Sequence, residues 1–160
     1  GHLVFSTLHT NDAAGAFARL MDMGVESFLV SSTVEGIMAQ RLVRRLCPEC
    51  AEEYHPNLSE MPRDFPFEML EEHGGKLKRH RGCRTCRQIG YSGRTGIYEL
   101  LATTERIRKL AQDRASTWDI SKAAIQDGMR TLRQDGWRKA ILGQTSVDEV
   151  LRVTKGDRLE

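Results

Sequence analysis

The sequence predicts an α/β chain with an incomplete sheet, a cysteine-rich insert and a mostly helical C-terminal region. Three observations support this class: one buried-strand pattern near the start, two Cys-x-x-Cys pairs in the middle, and helical periodicity from Thr104 onward. The 160 residues, 39% hydrophobic and 29% charged, are typical of a soluble globular protein. The net charge of +2 is too small to indicate a nucleic-acid or membrane partner.

The run LVFSTL, residues 3–8, has the composition of a β-strand. It is short, mostly apolar and contains β-branched and aromatic residues, which is typical of a strand covered on both faces in a parallel sheet. Such a strand needs neighbours, and the rest of the sequence does not supply four or five comparable runs. We therefore expect the sheet to be incomplete within this chain.

Two histidines bracket this predicted strand, His2 at its start and His9 just after its end. Thr10 or Asn11 can provide the N-cap of a helix over residues 13–23. His9 therefore lies where a strand is followed by a helix, and ligands bind at that end of the strands in open α/β sheets. A lone histidine can also simply cap or bridge such a turn, so the pattern alone leaves both interpretations open.

Two Cys-x-x-Cys pairs, Cys47–Cys50 and Cys83–Cys86, enclose residues 51–82. Two-residue spacing lets both sulfurs of a pair reach one ion at about 2.3 Å, and two pairs complete a four-thiolate zinc site. One alternative is an iron–sulfur cluster. The other is a pair of disulfides, which are disfavoured because a Cys-x-x-Cys bridge is strained and the cytoplasm is reducing. The cytoplasm is the default compartment because the sequence shows no signal peptide or membrane-spanning run. Since all four ligands are cysteine, we expect a structural metal.

The 51–82 insert and its flanks are polarised in charge. Acidic residues predominate from Glu49 to Glu72 and basic residues from Lys76 to Arg87. The basic residues can offset the negative charge of a four-thiolate zinc site. They could also contact nucleic-acid phosphates, but the stretch has no interleaved aromatic residues and its acidic half would repel a nucleic-acid backbone. Three prolines disfavour regular structure over residues 56–66.

The remaining segments are expected to be helices, with one strand on each side of the cysteine insert. Residues 26–45 show helical periodicity that changes to a strand-like pattern, and a glycine-rich turn precedes a predicted strand over 95–101. Ser146 and Glu149 have the spacing of a capping box. The predicted C-terminal helices are one that begins after Ser116 or Thr117, one over residues 132–142 and one from Ser146 to about Thr154.

Five stretches match one family in the right order: GHLVFSTLHTNDA, AQRLVRRLCPEC, GCRTC, GYSGRTGIYELL and EVLRVTKGD. Over nearly its whole length the chain closely resembles the C-terminal half of the assembly ATPases of type II secretion and type IV pili. The resemblance implies the C-terminal portion of a RecA-like P-loop NTPase domain. It assigns 1–46 to the ATPase core with its histidine box, 47–90 to a tetracysteine zinc-binding module, and 91–158 to the RTGIYE strand and a helical subdomain.

The resemblance also implies roles for individual residues in the full-length enzyme. His2 and His9 match the family's histidine box, which places them among the catalytic residues. Arg19 and Arg94 match arginines that approach nucleotide or a neighbouring subunit, and a guanidinium suits that task because it stays charged and binds phosphate in a bidentate way. A solvated helix face is the alternative for Arg19, whereas the glycines around Arg94 favour function. The implied cofactors are structural zinc and, in the full-length parent, ATP and Mg²⁺.

The sequence contains no phosphate-binding loop of the form G-x-x-x-x-G-K-[ST]. Its only Gly-Lys pair, Gly75-Lys76, is followed by Leu77, and the acidic Mg²⁺-binding elements are also missing. Phosphoryl transfer depends on the positioning and charge neutralisation that these parts supply. We therefore expect the 160-residue chain to be inactive on its own.

The family further implies a homo-hexamer that powers pseudopilus or pilus assembly through inner-membrane platform proteins. The expected location is cytoplasmic and peripheral at the inner membrane, with membrane contact only through partners and no direct nucleic-acid contact. Because pilus retraction ATPases lack the tetracysteine module, its presence favours the assembly or secretion branch. The alternative is a complete, non-enzymatic zinc-ribbon domain that binds protein or nucleic acid. A zinc hydrolase would need an open coordination position, which four cysteines do not leave.

Overall fold

The structure is a computed structural model that describes residues 2–154. The described chain forms two compact units, each made of two stretches of sequence. The first unit contains the residues up to 39 and residues 99–131, and the second contains residues 40–98 and those from 132 onward. The last part of the predicted 91–158 segment, including the end of EVLRVTKGD, lies outside the described residues.

The described residues form short helices and strands, and the strands lie in the middle of the chain. The helices are α1 (Gly15–Asp22), α2 (Ser27–Thr33), α3 (Phe67–Glu72), α4 (Glu105–Gln112), α5 (Thr117–Gln126), α6 (Leu132–Ile141) and α7 (Val147–Val153). The strands are β1 (Gly36–Leu46), β2 (Glu52–Tyr54), β3 (Leu77–Arg79) and β4 (Tyr91–Ala102), and Leu58–Glu60 forms a 3-10 turn. In the part of the chain that the structure describes, no helix combines the length and the apolar character that crossing a membrane requires.

A helical core organises the first unit. Helices α1, α4 and α5 contribute Phe17, Ile107 and Ile120, each at most 1% exposed. Thr104 caps α4 and Ser116 caps α5, because each side-chain oxygen accepts a backbone N–H from the first turn of its helix. The cap predicted at Ser116 is therefore confirmed.

The second unit has its own hydrophobic core. Leu70 of α3, Trp137 of α6 and Val150 of α7 are at most 2% exposed. Trp137 also packs edge-on against Phe65, with ring centres 5.4 Å apart. Residues 56–66, predicted to be irregular, contain only the 3-10 turn as regular structure, yet they place Phe65 in this core.

Two separate two-stranded sheets are formed, one by β1 and β4 and one by β2 and β3. The β2–β3 pair is antiparallel. At one end of the β1–β4 pair the N–H of Thr103 donates to the carbonyl of Glu35, and at the other the N–H of Cys47 donates to the carbonyl of Gly90. These two strands are therefore antiparallel as well, and the second of these ends brings the two cysteine pairs to the same place.

The strand predicted over residues 3–8 is not present in the structure. This stretch has no regular secondary structure, and Leu3, Val4 and Phe5 are 74%, 78% and 89% exposed. A strand forms only where a neighbour satisfies its backbone N–H and C=O groups, and among residues 2–154 no strand pairs with this run. The expectation of a parallel-sheet strand is therefore wrong for the described residues.

The N-cap residue of the first helix is Ala14 rather than the predicted Thr10 or Asn11, and its side chain makes no capping hydrogen bond. α1 begins at Gly15, whose N–H donates to Oδ1 of Asp12 at 2.7 Å. Thr10, one of the two predicted caps, instead donates its hydroxyl to the carbonyl of Asp12 at 3.0 Å. A carboxylate suits this position because it interacts favourably with the positive end of the helix dipole.

Candidate metal centre

The four predicted ligands form one cluster in the second unit. The Sγ atoms of Cys47, Cys50, Cys83 and Cys86 all lie within 4.8 Å of one another. The Sγ–Sγ distance is 3.9 Å between Cys47 and Cys83, 3.8 Å between Cys50 and Cys86, and 3.7 Å between Cys83 and Cys86. All four are free cysteines, since a disulfide would need a separation of about 2.05 Å.

These separations fit a tetrahedral metal site. Four sulfurs at about 2.3 Å from one ion lie about 3.8 Å apart along the edges of a regular tetrahedron. The measured distances of 3.7, 3.8 and 3.9 Å agree with that edge length. The cluster can therefore hold a metal with all four ligands from cysteine, which leaves no open position for water or substrate. Such a site stabilises a fold rather than performing chemistry.

Tight backbone turns bring the two sulfurs of each pair together. In the first pair, the N–H of Cys50 donates to the carbonyl of Cys47 at 3.3 Å. After the second pair, the N–H of Gln88 donates to the carbonyl of Cys83 at 2.8 Å. Arg87 and Gln88 adopt left-handed backbone conformations, with φ of 54° and 66°. Non-glycine residues seldom adopt this conformation, so the turn is held by the contacts around it.

The backbone around the second pair favours a thiolate. Burial by itself raises the pKa of the Cys86 thiol, but the N–H groups of Cys83 and Gly90 donate to its Sγ at 3.2 and 3.1 Å and lower the pKa to about 6. Burial raises the pKa of Cys50 to about 11, and a hydrogen bond with the Gly82 backbone opposes this rise. Because metals bind the thiolate, these two N–H groups prepare Cys86 to act as a ligand.

The predicted histidine box lies in the N-terminal stretch before α1. His2 and His9 are both exposed, and the residues around them have no regular secondary structure. His9 lies three residues before Asp12, whose Oδ1 accepts the N–H of Gly15 at the start of α1. The catalytic role implied for the two histidines by the resemblance stays a prediction.

The two predicted arginines lie in different units. Arg19 is in the last turn of α1 in the first unit, and Arg94 is in the part of β4 that belongs to the second unit. Both side chains are exposed. Gly93, next to Arg94, has φ of 75°, a conformation that glycine adopts without strain. Their roles at a nucleotide or subunit interface stay predictions.

Glu99 is a structural residue that the sequence reasoning missed. It belongs to the RTGIYE motif, is 4% exposed, and its Oε1 accepts the N–H of Ala13 at 2.8 Å. This bond connects β4 to the residues that follow the histidine box. The sequence does contain a signal for it, because a carboxylate within an otherwise apolar strand is costly to bury unless it has a specific partner.

Glu149 is the second missed residue. Its side chain is fully buried, and its carboxylate accepts hydrogen bonds from the guanidinium groups of Arg44 and Arg152 at 2.7–3.0 Å. The predicted capping box is confirmed in one half, since the N–H of Glu149 donates to Oγ of Ser146 at 3.3 Å. The carboxylate binds the two arginines, so the residue also joins α7 to β1.

The chain matches a known protein family over almost its whole length. The family described as type II/IV secretion system protein matches residues 1–152. The chain belongs to this family. The family resemblance identified from the sequence motifs is therefore confirmed, and so is the mixed α/β chain with a tetracysteine cluster.

Curated family members are similar over almost all of this chain. Type II secretion system protein E of Pseudomonas aeruginosa is 47% identical over 161 aligned positions, which cover 97% of this chain and 30% of the relative. Type II secretion system ATPase E of Vibrio cholerae is 44% identical, with coverage of 97% and 30%. The type IV pilus assembly ATPase PilB of Thermus thermophilus is 44% identical, with coverage of 96% and 17%. The chain thus spans less than a third of each of these family members.

Proposed function

We propose that this chain is a C-terminal portion of a RecA-like ATPase that powers pseudopilus or pilus assembly, in type II secretion or type IV pilus biogenesis. One observation carries the proposal: 96–97% of the chain aligns at 44–47% identity with relatives named as secretion system protein E or as secretion or pilus assembly ATPases. Because the chain spans 30% or less of these relatives, the phosphate-binding loop and the Mg²⁺ ligands belong to the remaining sequence of the longer protein.

Zinc is the metal proposed for Cys47, Cys50, Cys83 and Cys86. The tetrahedral sulfur spacing supports it, as does the preference of zinc for four-cysteine structural sites. When bound, zinc supplies cross-linking of the two cysteine pairs and no reactive position. ATP and Mg²⁺ are cofactors of the longer protein only, and the 160-residue chain alone is inactive.

In the longer protein, His2 and His9 act at the catalytic site, and Arg19 and Arg94 act at a nucleotide or subunit interface of a homo-hexamer. The exposure of both arginines supports this, since a buried guanidinium could not reach a neighbouring subunit or a nucleotide. The proposed partners are inner-membrane platform proteins. The proposed location is cytoplasmic and peripheral at the inner membrane, with membrane contact only through partners and no direct nucleic-acid contact.

The proposal is tested by ATP hydrolysis of the full-length parent and of the 160-residue chain. We expect Mg²⁺-dependent hydrolysis from the parent and only background phosphate release from the chain. In the parent, His9→Ala and Arg94→Ala should each lower hydrolysis at least about tenfold, because removing a group that stabilises transition-state charge has effects of this size or larger. The measurement is the steady-state rate of phosphate release at saturating ATP.

Lys109→Ala is the matched control, since Lys109 is another exposed cation, in the last turn of α4. Its rate should stay within about twofold of the parent rate, as is usual for an exposed surface substitution. A parent without ATPase activity would contradict the proposed function. A parent whose rate is unaffected by both His9→Ala and Arg94→Ala would contradict the assigned sites and leave the family assignment intact.

A further inference from the structure

The α6–α7 loop, residues 142–146, contacts both chain segments that carry the cysteines. Thr145 and Ser146 in this loop are 0% and 2% exposed. We propose that the α6–α7 loop, with Thr145 and Ser146 as its positioning residues, preorganises the tetracysteine site and sets its affinity for metal. The inference rests on the metal site proposed above and extends it to residues about sixty positions away from the nearest cysteine in sequence.

The loop holds the end of β1, which leads directly into the first cysteine pair. The N–H of Leu46 donates to the carbonyl of Gln144 at 3.0 Å. The hydroxyl of Thr145 donates to the carbonyl of Arg44 at 2.8 Å. These two bonds fix the backbone immediately before Cys47, so the direction in which this cysteine leaves the strand depends on the loop.

The loop also holds the start of β4, which begins five residues after Cys86. The hydroxyl of Tyr91 lies 2.6 Å from Oγ of Ser146, and both groups are buried. Tyr91 follows Gly90, whose N–H donates to Sγ of Cys86 at 3.1 Å and whose carbonyl accepts the N–H of Cys47 at 3.0 Å. One hydroxyl of the loop is thus connected, through Tyr91, to the residue that contacts both cysteine pairs.

Two further contacts join these segments to each other and to α7. The guanidinium of Arg44 lies over the Tyr91 ring, 4.2 Å from its centre. The backbone N–H of Arg44 donates to Oε1 of Glu149 at 2.9 Å. The strand before the first cysteine pair and the residue after the second pair are therefore fixed against one support, which consists of the α6–α7 loop and the first turn of α7.

Preorganisation explains why such a support should change affinity. A metal that binds two separate pairs must otherwise order both chain segments during binding, and that ordering reduces the measured affinity. Mutation of residues that orient the ligands without contacting the metal typically lowers metal affinity about 10–100-fold. Thr145 and Ser146 act on the ligand-bearing backbone rather than on the sulfurs, so we expect an effect at the lower end of that range or just below it.

The test compares two substitutions of Thr145 in the 160-residue chain. Thr145→Val keeps the shape of the side chain and removes the hydroxyl, whereas Thr145→Ser keeps the hydroxyl. We expect Thr145→Val to raise the zinc dissociation constant roughly three- to tenfold, and Thr145→Ser to stay within about twofold of the original chain. The dissociation constant is measured by competition with a chromophoric zinc chelator at pH 7, with the melting temperature of each variant.

Thr104→Val is the control. It also replaces a threonine hydroxyl by a methyl group, but at the N-cap of α4 in the first unit, away from the cysteines. It should lower the melting temperature without changing the zinc dissociation constant. Equal zinc affinity in Thr145→Val and Thr145→Ser would overturn the inference, and so would an equal loss of affinity in Thr104→Val. A chain that binds no metal would overturn the zinc proposal, and this inference with it. A chain that binds zinc with the same affinity in both Thr145 variants would overturn this inference alone.

A second measurement covers the case in which Thr145→Val does not fold. Coupling between two parts of a protein is reciprocal, so removal of zinc from the original chain should loosen the α6–α7 loop. We expect amide hydrogen exchange of residues 144–149 to accelerate at least about tenfold after chelation, whereas exchange in α5 should not change. Unchanged exchange at residues 144–149 in the zinc-free chain would also overturn the inference.

Discussion

Glu149 shows how one buried charge can connect two elements of the second unit. Its carboxylate is inaccessible to solvent and is bound by Arg44 from β1 and by Arg152 from its own helix. Burial by itself raises the pKa of Glu149, but hydrogen bonds from the two arginines and the backbone N–H of Arg44 lower it to about 2. The ionised form is therefore the one that stabilises the fold.

This pKa predicts how stability depends on pH. The unfolded carboxyl has a pKa of 4.5, and the difference from about 2 corresponds to about 3 kcal/mol. This contribution of the Glu149 carboxylate to the free energy of unfolding is fully present above pH 4.5 and is lost as the pH falls toward 2. We expect Glu149→Gln to lower the free energy of unfolding by about 3 kcal/mol at pH 7. The difference in free energy from the original chain should shrink as the pH approaches 2.

Urea unfolding at a series of pH values, followed by circular dichroism, measures this difference. Glu105→Gln is the control, because Glu105 is 98% exposed and its ion pair with Arg108 is 4.0 Å long. An exposed pair of this kind contributes little, about 0–1 kcal/mol, so the control should change stability only slightly at every pH. A difference between Glu149→Gln and the original chain that does not depend on pH would contradict the assignment.

Some of the structurally important residues can be predicted from the sequence and others cannot, for a physical reason. The four cysteines are predictable because the two-residue spacing within each pair is a local pattern dictated by metal geometry. Glu149 and Arg44 are 105 residues apart, and Glu99 and Ala13 are 86 residues apart. No local pattern specifies such partners, so the sequence indicates only that these carboxylates need some partner if they are buried.

At the scale of elements, α6 and α7 approach each other closely at Gly136. A Cβ atom added at Gly136 would lie 2.7 Å from Cγ1 of Val150, which is fully buried in the core of the second unit. Valine cannot move its methyl groups away easily because it is branched at Cβ. The glycine is therefore explained by the close approach of two helices.

We expect Gly136→Ala to destabilise the second unit in spite of the higher helix propensity of alanine. Overpacking costs about 1–3 kcal/mol, and the propensity gain offsets about 1 kcal/mol of this. The net loss should be on the order of 1 kcal/mol in urea unfolding. Val150→Ala removes the obstructing methyl groups, so in that background the same Gly136→Ala change should be neutral or stabilising. Equal effects in both backgrounds would show that the contact with Val150 is not the cause.

Elements that depend on local sequence form as predicted, whereas those that depend on distant partners do not. The helices after Ser116 and Ser146 are predictable because their caps and apolar periodicity are local. Both strands β1 and β4 are longer than predicted, since β1 begins at Gly36, within the stretch expected to be helical, and β4 begins at Tyr91, within the predicted glycine-rich turn. Residues 3–8 have a strand-like composition without a strand, since strand formation depends on a neighbour rather than on composition. α1 begins at Gly15, two residues later than predicted, an offset that composition alone does not resolve.

At the scale of the whole molecule, the tetracysteine cluster belongs to a larger body than the insert between the cysteines. The second unit contains residues 40–98 together with the residues from 132 onward, so α6 and α7 share it with the metal site. Each unit also contains one tryptophan: Trp118 in the first, 48% exposed, and Trp137 in the second, fully buried. Fluorescence can therefore report on the second unit alone once Trp118 is replaced.

Loss of the metal should consequently destabilise the second unit as a whole and not only the residues between the cysteines. In a Trp118→Phe background, we expect Cys83→Ser to abolish zinc binding, to lower the melting temperature, and to shift the Trp137 emission to longer wavelength. The expected loss of stability is large, because structural zinc contributes on the order of 10 kcal/mol to the folding free energy of small domains of this kind. Thr85→Ala is the matched control, since Thr85 lies exposed between Cys83 and Cys86 and offers no sulfur. A zinc-free Cys83→Ser chain with unchanged Trp137 emission would show that α6 keeps its core without the metal, and the unit would then be stabilised by the Trp137 cluster alone.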